Sequence, residues 1–248
     1  RSPLGREMRK FFVARDGYVL VDADYSQIEL RVLAHISGDR NMIKAFNDNT
    51  DIHTVTASEV FDMPPQLVTP IMRSRAKAVN FGIVYGIGAF SLAKDIGVSR
   101  SEADEYIKGY LRHYSGVDKY MHDVVEKAKK DGYAETMFAR RRYLPELTAS
   151  NANTRAFGER VARNMPIQGT AADIIKIAMI RVYERLEREN LAAKLIMQVH
   201  DELIVEAPEN EKERVSALLK EEMENAVKLS VALTADVHSG RTWYDAKG

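Results

Sequence analysis

Four residues of two chemical kinds recur at intervals of four along one stretch of the sequence: Arg73, Lys77, Phe81 and Tyr85. In an α-helix each step of four residues advances only ~40° around the axis, so the two cations and two aromatic rings form one slanting stripe. Cations bind phosphate and aromatic rings stack on bases, so the stripe suits a nucleoside triphosphate. The alternative is a basic amphipathic helix with a partly buried aromatic edge.

Ionisable residues also occur at two further places where they need an explanation. In the segment QVHDELIVE, residues 198–206, His200, Asp201 and Glu202 lie between aliphatic residues. Burying unpaired charge is unfavourable, so these side chains require either partners or solvent. Asp24 ends a predicted strand, where a carboxylate can face a cleft. Each case has a simpler alternative: a polar hairpin tip for the first and a helix N-cap for Asp24.

The elements that must position these residues follow from turn and capping signals. Residues 10–14 and 18–23 are predicted strands joined by a turn at 15–17, and residues 194–206 are a second hairpin with His200 and Asp201 near its tip. If strand geometry persists to that tip, Val199 and Asp201 face away from His200 and Glu202. Thr69 and Pro70 are typical of a helix start.

The remaining helices complete a pattern of strands, then helices, then strands. The predicted helices are 27–37, 70–85, one after the capping box Ser99–Glu102, one after the separator Gly116, 154–190 with a break near Pro166 and Gly169, and 209–228, before a strand-like tail at 229–238. This order favours an α+β fold, an antiparallel sheet interrupted by a large helical insertion.

Composition limits the possible functions. The chain has 248 residues, enough for one large domain or two subdomains. It has no cysteine, which excludes disulfides, thiolate nucleophiles and cysteine-based zinc sites. No apolar run approaches the ~18–20 residues of a membrane span, and the N-terminal residues lack the apolar core of a signal peptide. Lys and Arg total 36, equal to Asp and Glu, so any nucleic-acid surface must be a local patch.

Three motifs in a fixed order resemble the family A DNA polymerases, the bacterial DNA polymerase I type. DYSQIELRVLAH (24–35) resembles motif A, RSRAKAVNFGIVYG (73–86) resembles motif B, and QVHDE (198–202) resembles motif C. The segments DIHT, RRRYLP and NMPIQGTAAD add further matches. The resemblance covers essentially the whole chain.

The resemblance implies the palm and fingers portion of a polymerase domain. Residues 1–37 would be the first part of the palm, 38–159 the fingers with the motif B helix at about 70–86, and 160–248 the second part of the palm with the motif C hairpin at 194–206. The thumb and the exonuclease-like domain are expected to be absent from this chain.

The implied reaction is the template-directed addition of a deoxynucleotide to a primer 3′-hydroxyl, with release of pyrophosphate. Asp24 and Asp201 would hold two Mg²⁺ ions, for which Mn²⁺ can substitute, with the Tyr25 carbonyl as a further ligand and Glu202 as an auxiliary acid. Two carboxylates ~4 Å apart repel by ~4 kcal/mol at an effective dielectric of 20, and divalent cations reverse that sign. Lys77 would donate a proton to the departing pyrophosphate.

Substrate contacts are implied in the same way. The implied nucleotide-binding residues are Gln27, Glu29, His53, Arg73, Lys77, Phe81 and Tyr85, and the implied DNA-binding residues are Arg140, Arg141, Arg142, Arg160, Asn164, Gln168, Gln198 and His200. Glu29 would wall off the sugar 2′ position, and Phe81, which is not Tyr, implies discrimination against dideoxynucleotides. Without the motif, His53 is more typical of a structural histidine. An arginine run without the motif is more typical of a solvated face.

The expected partners are primer–template DNA, deoxynucleoside triphosphates and a missing N-terminal thumb and palm region, in the bacterial cytoplasm and without a membrane. One alternative is a polymerase-derived nucleic-acid-binding fragment that is inactive without that region. Another is a relative of the single-subunit RNA polymerases, which Glu29 disfavours because such enzymes must admit a 2′-hydroxyl. A two-metal phosphohydrolase is a distant option, since the sequence lacks a further His and Asp cluster.

Overall fold

A computed structural model of the chain describes residues 3–247. The chain divides into two compact units. The sheet unit consists of residues up to 28, 171–228 and from 233 onward, and the helical unit consists of 29–170 and 229–232. The division falls after residues 28 and 170, whereas the domain prediction placed its boundaries after 37 and 159. The assignment of palm and fingers stays a prediction.

The elements follow the predicted order of strand, long helical run and strands, with a short β2–β3 hairpin within the helical run. The strands are β1 (Tyr18–Tyr25), β2 (Tyr133–Glu135), β3 (Arg141–Tyr143), β4 (Lys194–Val199), β5 (Glu202–Pro208) and β6 (Ala235–Gly240). The α-helices are α1 (Pro3–Glu7), α2 (Ile28–Ser37), α3 (Arg40–Asn47), α4 (Ile52–Val60), α5 (Pro70–Val84), α6 (Ala89–Ile96), α7 (Arg100–His113), α8 (Ser115–Asp131), α9 (Ala152–Arg188), α10 (Lys212–Glu224) and α11 (Trp243–Ala246). Among the described residues, no helix is long and apolar enough to cross a membrane.

The sheet unit is built on a four-stranded antiparallel sheet in the order β4-β5-β1-β6. The central strand β1 is buried on both faces, since Val21 and Ala23 are fully buried on one side and Asp22 is buried on the other. The register places Asp24 opposite Glu202 of β5 and opposite Asp236 of β6. Residues directly opposite each other in an antiparallel pair project from the same face, so three carboxylates cross the sheet in a row.

The prediction of a strand at residues 10–14 is wrong. Residues Met8–Phe11 form a 3-10 turn, and Val13 makes an isolated bridge to Thr242 in place of a ladder with β1. The physical reason is the topology of the sheet, because β5 and β6 already pair with the two edges of β1. An alternating pattern beside a turn predicts a hairpin, but it does not show which strand takes the edge.

The second predicted hairpin is confirmed, but the side chains at its tip do not face the sides that were predicted. His200 adopts a left-handed backbone with φ of 54°, and Val199 pairs with Glu202 across the turn. Val199 and Glu202 therefore share a face, contrary to the expectation from strict alternation. The left-handed turn residue breaks the period of two before the chain returns as β5.

Capping explains where the helices of the helical unit begin. The Thr69 hydroxyl accepts a hydrogen bond from the backbone N–H of Met72 and Pro70 is the first residue of α5, while Ser99 and Glu102 form the predicted capping box of α7. The predicted separator Gly116 instead lies in the first turn of α8. A side chain there would approach the Asp39 backbone to 2.9 Å, so this glycine allows two segments to come close.

The predicted break in the long helix is wrong. Helix α9 runs continuously for 37 residues with Pro166 inside it. Proline removes one backbone hydrogen bond, which the rest of a long packed helix can outweigh. Gly169 serves packing, since a Cβ at this position would lie 2.6 Å from the Thr136 side chain. The neighbouring Thr170 hydroxyl accepts a hydrogen bond from the Met137 backbone at 3.1 Å, which fixes the β2–β3 hairpin on α9.

The C-terminal elements are shorter than predicted. Helix α10 ends at Glu224, four residues before the predicted end at 228, and β6 begins at Ala235. Buried side chains between them, including Ala226, Val231 and Leu233, gave the connecting segment its strand-like pattern. A buried loop and a strand can share an apolar composition, so the pattern identified burial and misplaced the strand.

Candidate active site

The sheet unit carries an acidic cluster, defined as Asp22, Asp24, Asp201 and Glu202. Asp22 and Asp24 project from one face of β1, and Glu202 begins β5 directly opposite Asp24. Asp201 lies in the hairpin turn, and its backbone carbonyl accepts a hydrogen bond from the Tyr25 N–H at 3.0 Å. The tip of the hairpin is thereby tied to the end of β1, which brings the two predicted metal ligands, Asp24 and Asp201, together.

Two members of the cluster are buried, and three of its four carboxylates are incompletely hydrogen-bonded among the described residues. Asp22 is 2% exposed and Glu202 is 4% exposed. In the part of the chain that the structure describes, Asp22 Oδ1, Asp24 Oδ1 and Glu202 Oε1 are buried without a hydrogen-bond partner. Buried carboxylate oxygens normally have partners, so these three atoms indicate a place for a cation.

Electrostatic strain in the cluster is visible in its pKa values. Burial raises the pKa of Asp22 to about 7, assisted by the charges of Glu202 and Asp24 and opposed by Lys247. Burial, followed by the charge of Asp24, also raises the pKa of Asp201. Both shifts show that the cluster favours added positive charge, from either protons or metal ions.

Two residues near the end of the chain complete the cluster, and the sequence motifs gave no signal for either. Lys247 Nζ donates a hydrogen bond to Asp24 Oδ2 at 2.7 Å and another to Glu202 Oε2. Burial lowers the pKa of Lys247, but its bonds to Asp24 and Glu202 outweigh that effect and the net shift is upward. The single tryptophan, Trp243, donates its indole N–H to Asp22 Oδ2 at 3.1 Å.

The cluster fits a divalent ion that keeps other ligands. Among residues 3–247, no group of three or more His, Asp or Glu side chains forms a ready metal cage. Mg²⁺ is usually bound by one or two carboxylates and retains waters and substrate phosphates, so Asp24 and Asp201 are a sufficient protein set. The Tyr25 hydroxyl donates to the Met223 carbonyl at 2.6 Å, which holds the end of β1 that carries the third predicted ligand.

The helical unit carries the cation–aromatic stripe, defined as Arg73, Lys77, Phe81 and Tyr85. Helix α5 leaves Lys77 exposed and Arg73 and Phe81 half-buried, and Tyr85 follows the last helical residue and is 47% exposed. The opposite side of the helix is apolar and buried. The stripe is therefore the accessible edge of α5, as its spacing predicts.

A buried network fixes His53 beside the stripe. The Thr56 hydroxyl donates to Asn80 Oδ1 at 3.1 Å, and the Asn80 amide lies 3.0 Å from His53 Nδ1. Because the amide nitrogen must donate, Nδ1 accepts and the ring proton is on Nε2. Burial lowers the pKa of His53 to about 4, so the ring is neutral at pH 7 and offers one N–H donor. Asn80 was part of the quoted motif B, but it was not among the predicted site residues.

Arg73 already has a carboxylate partner within the helical unit. Its guanidinium donates to Asp51 Oδ2 from Nε at 2.9 Å and from Nη2 at 2.6 Å. The other oxygen of Asp51 caps α4 by accepting from the backbone N–H groups of His53 and Thr54. Asp51 therefore aligns Arg73 with the N-terminal end of α4. Like Asn80, Asp51 was not among the predicted site residues.

Several predicted DNA-binding residues meet in two cavities of the helical unit. A cavity of about 480 Å³ is lined by Arg142, Arg160, Asn164, Gln168 and Tyr85 together with four neighbours. A second cavity of about 890 Å³ shares Tyr85 and Arg160 and includes Phe81. The Asn164 amide donates to the Val84 carbonyl at 3.2 Å, which joins α9 to the end of α5.

Other predicted residues have local roles or lie elsewhere. The Gln198 amide donates to the His200 carbonyl at 2.7 Å, within the hairpin tip of the sheet unit. Arg141 pairs with Glu135 and lies over the Tyr133 ring, whereas Arg140 is exposed and has partners of its own.

Two predicted nucleotide contacts retain unused acceptors. Gln27 belongs to the sheet unit and has a left-handed backbone with φ of 55°, and Glu29 belongs to the helical unit. Their buried atoms Gln27 Oε1 and Glu29 Oε2 have no hydrogen-bond partner among the described residues. Each side chain therefore keeps one acceptor that no described residue uses.

Comparison with known proteins supports the resemblance. The family model described as DNA polymerase family A matches residues 1–245. The chain belongs to this family. It is similar to DNA polymerase I of Caldicellulosiruptor bescii, with 53% identity over 243 residues that cover 98% of the chain and 29% of the relative. DNA polymerase I of Bacillus caldotenax is 54% identical over 244 residues, covering 98% of the chain and 28% of the relative.

A more distant relative and a solved structure agree. The thermostable DNA polymerase I of Thermus thermophilus is 48% identical over 248 residues, covering 100% of the chain and 30% of the relative. The solved polymerase domain of Pol1 from M. smegmatis, in complex with DNA primer-template and dNTP, superposes with a TM-score of 0.94 at 45% identity, covering 100% of this chain and 44% of that one. The chain spans less than a third of the length of the curated relatives it matches.

Proposed function

We propose that the chain is the nucleotidyl-transfer core of a DNA polymerase, which adds deoxynucleotides to a primer 3′-hydroxyl as a template directs and releases pyrophosphate. The observation that carries the proposal is the acidic cluster, in which buried oxygens on Asp24 and Glu202 have no partner among the described residues, in a chain that belongs to DNA polymerase family A. The similar M. smegmatis domain was solved with DNA primer-template and dNTP. These are the substrate classes proposed here.

Asp24 and Asp201 would hold two Mg²⁺ ions, with the Tyr25 carbonyl as a further ligand. When bound, such ions activate the attacking 3′-oxygen and stabilise charge on the leaving pyrophosphate. The protein's own part is to keep the carboxylates close, which the β1–β5 register and the bond from the Tyr25 N–H to the Asp201 carbonyl accomplish. Glu202, occupied by Lys247 through one oxygen, serves as an auxiliary acid.

The stripe and His53 would bind the incoming nucleotide. Arg73 and Lys77 would supply positive charge for the triphosphate, and neutral His53, which is buried, would supply its Nε2–H as a hydrogen-bond donor. Lys77, which is exposed, would donate a proton to the leaving pyrophosphate. Phe81 of α5 lies 5.8 Å from the His53 ring of α4, so a hydrogen-bond donor for phosphate and a stacking surface for a base lie side by side.

We assign the sheet unit to the palm and the helical unit to the fingers. Arg160, Asn164 and Gln168 line one cavity, and we propose that they contact the minor groove of primer–template DNA. Minor-groove acceptors are nearly the same for every correct base pair, so such contacts test geometry without reading sequence. Arg140, Arg141 and Arg142 are exposed and are proposed to contact phosphate, which makes DNA affinity fall steeply with salt.

Primer extension tests the proposal. The 248-residue chain is incubated with a primer–template, Mg²⁺ and either deoxynucleoside or ribonucleoside triphosphates, and a parallel reaction contains EDTA. We expect Mg²⁺-dependent extension with deoxynucleotides. Preferred extension with ribonucleotides would favour an RNA polymerase relative.

A binding measurement separates the remaining alternative, a nucleic-acid-binding fragment that is inactive without an N-terminal thumb and palm region. Fluorescence anisotropy of a labelled primer–template is measured on the same preparation at several salt concentrations. Tight binding without any extension would favour the fragment. Extension that appears only after the upstream region of a relative is added as a separate chain would show that the site is catalytic and that this chain depends on that region.

A further inference from the structure

Lys247 has no role in the function proposed above, yet its ammonium group lies inside the acidic cluster. It donates to Asp24 Oδ2 at 2.7 Å and to Glu202 Oε2, and its side chain is only 19% exposed. A lysine side chain loses about 2 kcal/mol of rotamer entropy when it is fixed and is rarely buried without a partner. These two carboxylates are therefore the reason for its position.

Lys247 contacts one oxygen of each carboxylate, that of Asp24 and that of Glu202, and leaves the other oxygen without a contact from the lysine. Lys247 occupies Oδ2 of Asp24 and Oε2 of Glu202, while Asp24 Oδ1 and Glu202 Oε1 remain buried without partners among the described residues. The register across β1 and β5 fixes the two carboxylates beside each other with or without the lysine. In the absence of a metal ion, the single ammonium group compensates part of the negative charge of this pair.

We propose that Lys247 is a built-in counter-ion that competes with divalent cations for Asp24 and Glu202. The inference rests on the proposed function, in which Asp24 and Asp201 hold divalent ions. Both cations are attracted by the same carboxylate of Asp24, so each lowers the affinity of the site for the other. By thermodynamic reciprocity, a metal ion weakens the Lys247 contact by the same factor by which Lys247 weakens metal binding.

The competition keeps the metal-free cluster folded and makes it release a metal ion readily. Without Lys247, Asp24 and Glu202 would be adjacent and uncompensated, which is unfavourable at low dielectric. With it, the site has a moderate affinity for the metal and gains further ligands when a substrate phosphate arrives. Lys247 is therefore a positioning residue, and it takes no part in the bond changes.

The test is Mn²⁺ binding to the 248-residue chain, measured by electron paramagnetic resonance. Lys247→Met removes the charge and keeps the apolar length, Lys247→Arg keeps the charge, and Lys220→Met removes an exposed lysine on α10 as the matched control. We expect Lys247→Met to bind Mn²⁺ at least about tenfold more tightly, since a nearby positive charge has been removed. Lys247→Arg and Lys220→Met should stay within about threefold of the wild type.

Asp201→Asn separates this inference from the metal site on which it rests, because Asp201 has no hydrogen bond to Lys247 among the described residues. If the wild type and Asp201→Asn bind Mn²⁺ equally, the proposed metal site fails. If Asp201→Asn loses binding while Lys247→Met binds as the wild type or more weakly, the counter-ion inference alone is overturned.

A measurement on the unmodified chain covers the case in which Lys247→Met does not fold. Amine acetylation at Lys247 and Lys212 is followed by mass spectrometry, with and without saturating Mg²⁺. We expect the rate at Lys247 to rise at least about threefold with Mg²⁺, because the metal releases the ammonium group, and the rate at the half-exposed Lys212 to stay constant. An unchanged or reduced rate at Lys247 would overturn the inference.

Discussion

The acidic cluster of the sheet unit and the cation–aromatic stripe of the helical unit differ in how their charges are balanced. In the cluster, four carboxylates are held by β1 and the β4–β5 hairpin, and buried oxygens on Asp22, Asp24 and Glu202 have no partner among the described residues. In the stripe, the charged groups are exposed or already paired, as Arg73 is with Asp51.

This difference shows what each region can do before any ligand binds. The cluster has an excess of buried negative charge, and the raised pKa values of Asp22 and Asp201 record it. It therefore attracts cations. In the stripe, Arg73 has the Asp51 carboxylate as its partner. A ligand phosphate would replace that carboxylate as the anion bound to Arg73. The two regions of the chain therefore differ in the charge that each can accept.

The largest effect on primer extension is expected for substitutions in the acidic cluster. Asp24→Asn and Asp201→Asn should each lower the rate of Mg²⁺-dependent primer extension by about 10³-fold or more, because each removes a charged metal ligand. Glu213→Gln removes a carboxylate that is 89% exposed on α10 of the same unit and serves as the control. Rates are measured by single-nucleotide extension. Extension by Asp201→Asn at the rate of Glu213→Gln would contradict the account.

The stripe should show a smaller and position-dependent effect. Lys77→Ala should lower kcat/KM for a deoxynucleoside triphosphate by about 10–100-fold, which is the value of one hydrogen bond to a charged group. Arg75→Ala removes a cation from the same helix away from the stripe and should change it by less than about threefold. Equal losses in the two variants would show that α5 acts only through its overall charge.

Sugar selection gives a sharper test of the helical unit. Glu29 has a buried oxygen without a partner among the described residues, and a packed carboxylate at the sugar 2′ position would exclude a hydroxyl. Glu29→Ala should raise ribonucleotide incorporation relative to deoxynucleotide incorporation by about tenfold or more. Glu105→Ala, at a 62% exposed side chain on α7, is the control. An unchanged ratio for Glu29→Ala would remove Glu29 from the site.

The smallest expected effect is on stability and concerns His53. Burial lowers its pKa to about 4 in the folded chain, below the unfolded value of about 6.5. The folded state therefore binds fewer protons between these values, so the stability present above pH 6.5 is lost as the pH falls toward 4. His53→Gln should reduce the drop in Tm between pH 7 and pH 5 by roughly 2–4 °C. His122→Gln, at an exposed histidine, should leave the drop unchanged.

The parts of the fold that depend on local chemistry could be predicted from the sequence. The cap at Thr69, the capping box at Ser99 and the hairpin around His200 and Asp201 each depend on residues within a few positions of one another. The predicted strand at 10–14 and the predicted break at Pro166 were wrong, because sheet topology decided the first and long-range packing decided the second.

The candidate site was predictable to the same extent. Asp24, Asp201 and the stripe carry their chemistry in short spacings. Lys247 and Asn80 do not, because the role of Lys247 depends on a contact more than two hundred residues away along the chain and that of Asn80 on a buried amide between His53 and Thr56. Short motifs therefore indicate candidate site residues more readily than they indicate the distant or buried residues that contact them.

The most direct test of the proposal that the acidic cluster binds a divalent ion is to locate that ion. Crystals of the 248-residue chain are grown with Mn²⁺ and a deoxynucleoside triphosphate, and an anomalous difference map is calculated at a wavelength where Mn²⁺ scatters. The account predicts a peak within bonding distance, about 2.0–2.6 Å, of carboxylate oxygens of both Asp24 and Asp201. A bound triphosphate whose Mn²⁺ peak lies away from both carboxylates would contradict it.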